Sequence, residues 1–200
     1  DGSKVVLLCD VSGSMRGSEG QLKDAVCRYV KSMGDNEKVN IILFSDKIDA
    51  VSGFSSNKEE LLEFAENEIR IYGGTYICES VYECLAHFEN NNIANTIIVM
   101  TDGEEGGKFT AADIETKIGG RVDSNNVTLY TIGLGNSITP PFLANLARVG
   151  GGEFLYCSNI SVLENAFQFI HERIDSEYVI TFSAEDLDMV ERVLEIEIDD

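Results

Sequence analysis

Two hundred residues with 44% hydrophobic content suffice for one well-packed domain and leave little room for two. Charged residues make up 25%, close to a globular average, which argues against disorder. The sign is unusual: 35 acids against 15 bases give a net charge of -20, which repels phosphate backbones and anionic lipid and attracts divalent cations. Nucleic acid and direct membrane insertion are therefore excluded as partner classes, and no apolar run is long enough to span a bilayer.

The chain alternates strand and helix patterns. "KVVLLC" is a short apolar run, after which Leu22, Ala25, Val26, Tyr29, Val30 and Met33 recur at helical spacing. "KVNIILFS" predicts a second strand, and "KIDAVSGF" a third after a Ser45-Asp46-Lys47 turn. Leu61, Leu62, Ala65 and Ile69 mark a short helix that "YGGT" interrupts. Ile77, Val81, Cys84, Leu85 and Phe88 give one face of another helix, and "NTIIVMTDG" reads as a strand covered on both sides. A Gly-rich loop, a helix over about 111–122 and the strand "NVTLYTIGLG" follow. Pro140 and Pro141 open a helix that Gly150 closes, "GEFLYC" is the last core strand, and Leu163, Ala166, Phe167, Ile170 and Ile174 line a final helix.

This order predicts an α/β, doubly wound, mostly parallel six-stranded sheet flanked by helices, over residues 1–175. The tail, 176–200, differs. "EYVITFS" and "RVLEIEID" alternate with the two-residue period of half-buried strands and have no helix between them. They read as a C-terminal β-hairpin extension or as the start of a truncated flanking β domain. The abrupt start at Asp1 reads as a domain cut from a larger, multidomain chain.

Five cysteines leave at least one thiol unpaired in any scheme. Cys78 and Cys84, six residues apart, point roughly 120° from each other on a helix and cannot bridge, and there is no CxxC pair for zinc. Free thiols in a core lean towards a reducing, intracellular compartment. Two glycosylation sequons, at Asn126 and Asn159, keep a secreted or cell-surface setting open.

In open α/β sheets, ligands sit beyond the carboxyl ends of the strands, where strand order reverses. Three polar clusters fall there: Asp10, Ser12 and Ser14 after the first strand, Thr75 in the Gly73-Gly74 break, and Asp102 after "TIIVMT". With the first and fourth strands as neighbours, Asp10 and Asp102 face one another. Two carboxylates and three hydroxyls form an all-oxygen donor set for a hard cation. Mg²⁺, which wants octahedral oxygen and takes few carboxylates, fits best. Mn²⁺ suits the same cage, and Ca²⁺, which commonly takes more carboxylates, is a further candidate. With so few carboxylates bound, such an ion keeps electrophilic character towards an anionic ligand. Gly13 is expected to permit the tight backbone that aims both serines one way.

"DVSGS" resembles the DxSxS signature of von Willebrand factor A domains, and Thr75 and Asp102 match that family's other two metal positions. "GDNEKVNIILFSD", "TIIVMTDGEE", "LYTIGLG" and "GGGEFLYCSNISVLENAF" resemble further family blocks in the same order, so the likeness covers about residues 3–175. It implies one short antiparallel strand, "KIDAVSGF", and a metal-ion-dependent adhesion site. Under that implication Ser12 and Ser14 ligate the ion directly, Thr75 and Asp102 directly or through water, and Asp10 through water. A protein partner's Asp or Glu completes the octahedron.

That reading is of a divalent-metal-dependent interaction module and not an enzyme. Two alternatives stand beside it. A Mg²⁺-dependent phosphatase-like enzyme would use Asp10 as nucleophile, but its chemistry wants a general acid where the chain has Ser12, a poor proton donor. A scaffold would use the ion only to hold the fold. Glu104 and Glu105 either rim the site or belong to a solvated loop, and Glu79 is similarly ambiguous. His87 and His171 fall far from the three clusters, and the Gly133–Gly135 pattern lacks the lysine and third glycine of a nucleotide loop.

Overall fold

The first strand explains the architecture. In β1 (Lys4–Asp10) every residue from Val5 onward is buried, which requires cover on both faces. A computed structural model describes residues 3–88, 95–102, 105–134, 138–158 and 160–176. The β extension expected over 176–200 lies, beyond Ser176, outside the described residues.

The remaining strands are β2 (Lys38–Phe44), β3 (Ile48–Val51), β4 (Asn95–Thr101), β5 (Val127–Leu134) and β6 (Gly151–Cys157). They form one six-stranded sheet in the order β3-β2-β1-β4-β5-β6. All neighbouring pairs are parallel except β2 with β3, so "KIDAVSGF" supplies the antiparallel strand. The expected fold class is borne out. Strand order reverses between β1 and its two neighbours, β2 and β4, and this places the switch point at the end of β1.

The helices are α1 (Glu19–Ser32), α2 (Lys58–Glu68), α3 (Ile77–Cys84), α4 (Ala111–Asp113), α5 (Gly120–Asn125), α6 (Pro140–Val149) and α7 (Ile160–Ser176). The two-residue period of β1 divides them. Val5, Leu7 and Cys9 join one core with Leu22, Val26 and Tyr29 of α1, Leu61 of α2 and Phe167 and Ile170 of α7. Val6 and Leu8 face the other core, with Ile77 and Val81 of α3 and Leu143 and Leu146 of α6. Truncating either leucine of β1 to alanine would cost about 2–5 kcal/mol, since neither core can collapse onto a fully enclosed site.

Local signals act as their chemistry dictates. Asn57 caps α2 by accepting from the N–H groups of Glu59 and Glu60, and Pro140 opens α6. The helix expected over 111–122 runs on to Asn125 and contains a π-helical stretch, Ile114–Gly119, that buries Ile114 and Ile118. The strand "GEFLYC" departs from its expectation. Among the described residues it is, as β6, the last strand on its side of the sheet, is mostly half-buried or exposed, and shows Tyr156 at 45% exposure. All five cysteines are free thiols, with Cys9, Cys78, Cys84 and Cys157 buried. Among the described residues no helix is long and apolar enough to cross a membrane.

Candidate metal centre at the end of β1

Asp10 is the last residue of β1 and is fully buried. Its Oδ1 accepts the backbone N–H of Ser12 at 2.8 Å, and its Oδ2 accepts the hydroxyl of Thr101, the last residue of β4, at 2.5 Å. Past Ser12 the chain makes a short 3₁₀ turn, Gly13–Met15, held inward because Met15 is fully buried in the α1 core. That turn leaves Ser12 Oγ and Ser14 Oγ 3.0 Å apart, and Ser14 Oγ donates to Asp102 Oδ1 at 2.9 Å. Ser12, Ser14 and Asp102 therefore form a continuous run of oxygens, and Asp10 is joined to it through the backbone N–H of Ser12.

Thr75 is brought to the same edge through its backbone. Tyr72 N–H donates to Val11 O at 2.8 Å and Gly13 N–H to Gly73 O at 3.1 Å. Tyr76 N–H donates to Ser45 O at 2.9 Å, while Thr75 O accepts Gly106 N–H at 2.8 Å. The Thr75 loop is thus fastened to the ends of β1, β2 and the segment after β4.

Two glycines make this possible for different reasons. Gly73 has φ +80°, and a Cβ there would lie 2.7 Å from Ser45 Oγ. At Gly13 the requirement differs from the tight backbone expected: a Cβ would approach Gly73 O at 3.3 Å, so the small residue permits close passage of two loops.

The electrostatics are those of two carboxylates withdrawn from water. Burial raises the pKa of Asp10, opposed by the Ser12 and Thr101 hydrogen bonds and reinforced by the charge of Asp102. Burial likewise raises that of Asp102, with the Ser14 hydroxyl opposing. The donor spacing fits a small octahedral ion. Neighbouring ligands at about 2.0–2.1 Å from a centre lie roughly 3 Å apart, as the Ser12–Ser14 and Ser14–Asp102 oxygens do. The described residues contain no group of three or more His, Cys, Asp or Glu side chains able to hold a metal, so any ion here would depend on hydroxyl donors.

Two contributors were not legible as such. Thr101 belongs to the site through its bond to Asp10; its signal was a hydroxyl beside the strand-end acid on a parallel neighbour. Glu105, weighed as a rim or loop residue, instead serves α3: its Oε2 accepts Cys78 N–H at 2.8 Å and its Oε1 accepts Gly107 N–H. Glu79 Oε1 accepts Lys108 N–H at 2.5 Å. His87 is exposed, and His171 lies far from the metal edge, its Nε2 4.0 Å from Glu37 Oε2. Gly133 packs where a Cβ would meet Ile138 and Phe154, a packing role with no bearing on nucleotides.

Comparison with known proteins agrees with the fold. The inter-alpha-trypsin inhibitor heavy chain 4 of Mus musculus is 26% identical over 163 residues, covering 74% of this chain and 17% of its own length. A von Willebrand factor A domain-containing protein of Dictyostelium discoideum is 24% identical over 160 residues, covering 76% of this chain and 17% of its own. The chain thus spans less than a fifth of these relatives. Among solved structures, a von Willebrand factor type A protein from Catenulispora acidiphila superposes with a TM-score of 0.74 at 17% identity, over 87% of this chain and 43% of that one. The ArnB paralog VWA2 from Sulfolobus acidocaldarius gives 0.67 at 26% identity, over 84% and 44%. The family model for the von Willebrand factor type A domain matches residues 3–156. The chain belongs to the von Willebrand factor A domain family, whose members serve in general as protein-interaction modules.

Proposed function

We propose that this domain is a divalent-metal-dependent interaction module, in which Asp10, Ser12, Ser14, Thr75 and Asp102 hold Mg²⁺ and a protein partner supplies an Asp or Glu to the ion. The observation that carries this reading is the run of oxygens from Ser12 through Ser14 to Asp102, spaced at 3.0 and 2.9 Å over two buried carboxylates. The ion would supply positive charge to a site that otherwise buries two acids, and its electrophilic character would attract a carboxylate. Mn²⁺ suits the same donors.

The residues divide the work. Ser12 and Ser14 are neutral donors, so they bind without cancelling the ion's charge. Asp10, with one oxygen on Ser12 N–H and the other on Thr101, orients the serine loop. The same engagement argues against Asp10 as a nucleophile, because a fully buried carboxylate that accepts a hydrogen bond on each oxygen is less nucleophilic and is shielded from a substrate. The family's role as an interaction module supports the non-enzymatic reading. The long relatives support membership of a larger multidomain chain, and the compartment follows from that parent.

Isothermal titration of the metal-free chain with Mg²⁺, then with a carboxylate-bearing peptide, tests the reading. Saturable Mg²⁺ binding abolished in Asp102→Ala, and peptide binding that EDTA reverses, are expected. Peptide binding that survives EDTA excludes the metal as the recognition element. Mg²⁺ binding with no carboxylate peptide retained would favour the structural-ion alternative.

A further inference from the structure

Asn126 opens the sequon Asn126-Val127-Thr128 and is exposed. It closes α5 in the left-handed conformation, with φ 50° and ψ 54°. Its N–H donates to Val122 O, and its carbonyl accepts Asn95 N–H at 3.1 Å. The backbone is thereby pinned between α5 and the start of β4, and the residue stands at the surface on a fixed turn.

Helix ends in this conformation take glycine most readily and asparagine next, so the turn alone does not require Asn126. Thr128 is half-buried in β5 opposite Thr96 of β4, a position that valine or isoleucine would also suit. Neither local requirement calls for the pair. An acceptor for N-linked sugar does, because it needs the amide on the first residue and the hydroxyl on the third.

Its place in the fold suits the same use. Asn95 pairs with Lys4 on one side and Val127 on the other, so the turn lies at the amino edge of the sheet. The eight residues of β5, at about 3.3 Å each, put roughly 25 Å between Asn126 and the carboxyl edge where Asp10, Ser12, Ser14 and Asp102 gather. A bulky sugar on this turn leaves that edge open.

The free cysteines are the objection, because the secretory compartment is oxidising. The fold answers it. Cys9, Cys78, Cys84 and Cys157 are buried, and burial pushes each thiol up, that of Cys157 to about 11. The thiolate is the form that attacks a disulfide, so these four are both enclosed and inert. Cys27 is half-buried, and burial, then the charge of Glu66, raises its thiol as well.

We propose that Asn126 is the acceptor of an N-linked glycan and that the domain matures in a secretory, oxidising compartment. The transfer is a substitution in which a lipid-pyrophosphate-linked oligosaccharide gives its sugar to Asn126 Nδ2. The C–N bond forms as the sugar's C–O bond to pyrophosphate breaks, the amide loses one proton, and the lipid pyrophosphate leaves. This modification does not depend on what the opposite edge binds.

The test expresses the chain behind a cleavable secretion signal in a eukaryotic host, with Asn159→Gln removing the second sequon. Intact mass is read before and after an N-glycosidase. One glycan is expected, and its release should convert the acceptor amide to an acid in the peptide that holds position 126. Asn126→Gly keeps the left-handed turn, so it should be secreted with the parent's circular dichroism and Tm yet carry no glycan. Thr128→Ala should lose the glycan and Thr128→Ser keep it. Maleimide should label Cys27 alone in the folded secreted chain, and all five cysteines in denaturant. Secretion without sugar at position 126, or sugar that persists in Asn126→Gly, overturns the acceptor. A chain that is retained in the cell or emerges disulfide-linked overturns the compartment.

Discussion

Ser14 donates its hydroxyl to Asp102 at 2.9 Å, joining a loop at the start of the chain to one 88 residues later. The bond exists because β1 and β4 are parallel neighbours, so that both residues follow strand ends on the same sheet edge. It also pairs two of the residues proposed to hold the ion, so a bound cation would compete for the same oxygens.

Metal removal and site variants should separate these states. Mg²⁺ at about 100 times its dissociation constant adds about 2.7 kcal/mol of stability to a protein that binds it only when folded. Differential scanning calorimetry in Mg²⁺ and in EDTA should show that shift for the parent. Ser14→Ala should lose most of it, and Asp102→Ala all of it. An unchanged shift in Asp102→Ala would remove that residue from the metal centre.

The pH dependence of the metal-free protein follows from the raised pKa values of Asp10 and Asp102. Each folded-state value lies above its unfolded value near 3.8. Between the two, the native state binds more protons than the unfolded one, so stability falls as pH rises through this window. Chelated protein should therefore unfold at higher urea on mild acidification towards the ordinary carboxylate range than at neutral pH. With Mg²⁺ present the trend inverts, because the ion binds the deprotonated carboxylates. Asp10→Asn should flatten the chelated profile. Urea titrations at a series of pH values check all three statements.

How much of this was legible in the sequence differs by residue. Asp10, Ser12, Ser14 and Asp102 were, because a strand-end acid and its hydroxyls carry their spacing in the chain and parallel pairing fixes which ends meet. Thr75 was legible through its glycine break and the family likeness; periodicity alone does not place a loop residue. Thr101 and Glu105 were hidden because their roles arise from partners 91 and 27 residues away. The exposure of β6 was hidden for a related reason: "GEFLYC" says how a strand alternates, while its place at the sheet edge depends on what pairs beyond it. Gly13 was recognised as special, yet its constraint lies in another loop's carbonyl.

Glu105 offers a test of fold without function. Its carboxylate takes the N–H of Cys78 in the first turn of α3, where the helix dipole also favours negative charge. Glu105→Ala should cost about 1 kcal/mol, within the range for lost helix caps. Mg²⁺ affinity should stay within about twofold, a difference of less than about 0.5 kcal/mol. Chemical denaturation and titration calorimetry on one variant check both. A large loss of Mg²⁺ affinity would instead return Glu105 to the rim of the metal site.

Gly73 couples the fold to the site most directly. Its φ of +80° disfavours any L side chain, and an added Cβ would overlap Ser45 Oγ at 2.7 Å and Ser45 Cβ at 2.8 Å. Ser45 cannot yield freely, because it is buried and donates to Asp49 while its carbonyl accepts Tyr76 N–H. The strain would pass to the loop that carries Thr75, whose tie to the serines is the Gly13 N–H to Gly73 O bond. Gly73→Ala should therefore destabilise the domain by about 1–3 kcal/mol and weaken Mg²⁺ binding in the fraction that stays folded. Gly53→Ala, also at positive φ (79°) but with open space around its Cβ, should lose stability while keeping Mg²⁺ affinity. Comparing the two by denaturation and calorimetry separates backbone strain from displacement of Thr75. Equal Mg²⁺ affinity in both would mean that the Gly73 loop does not position a ligand.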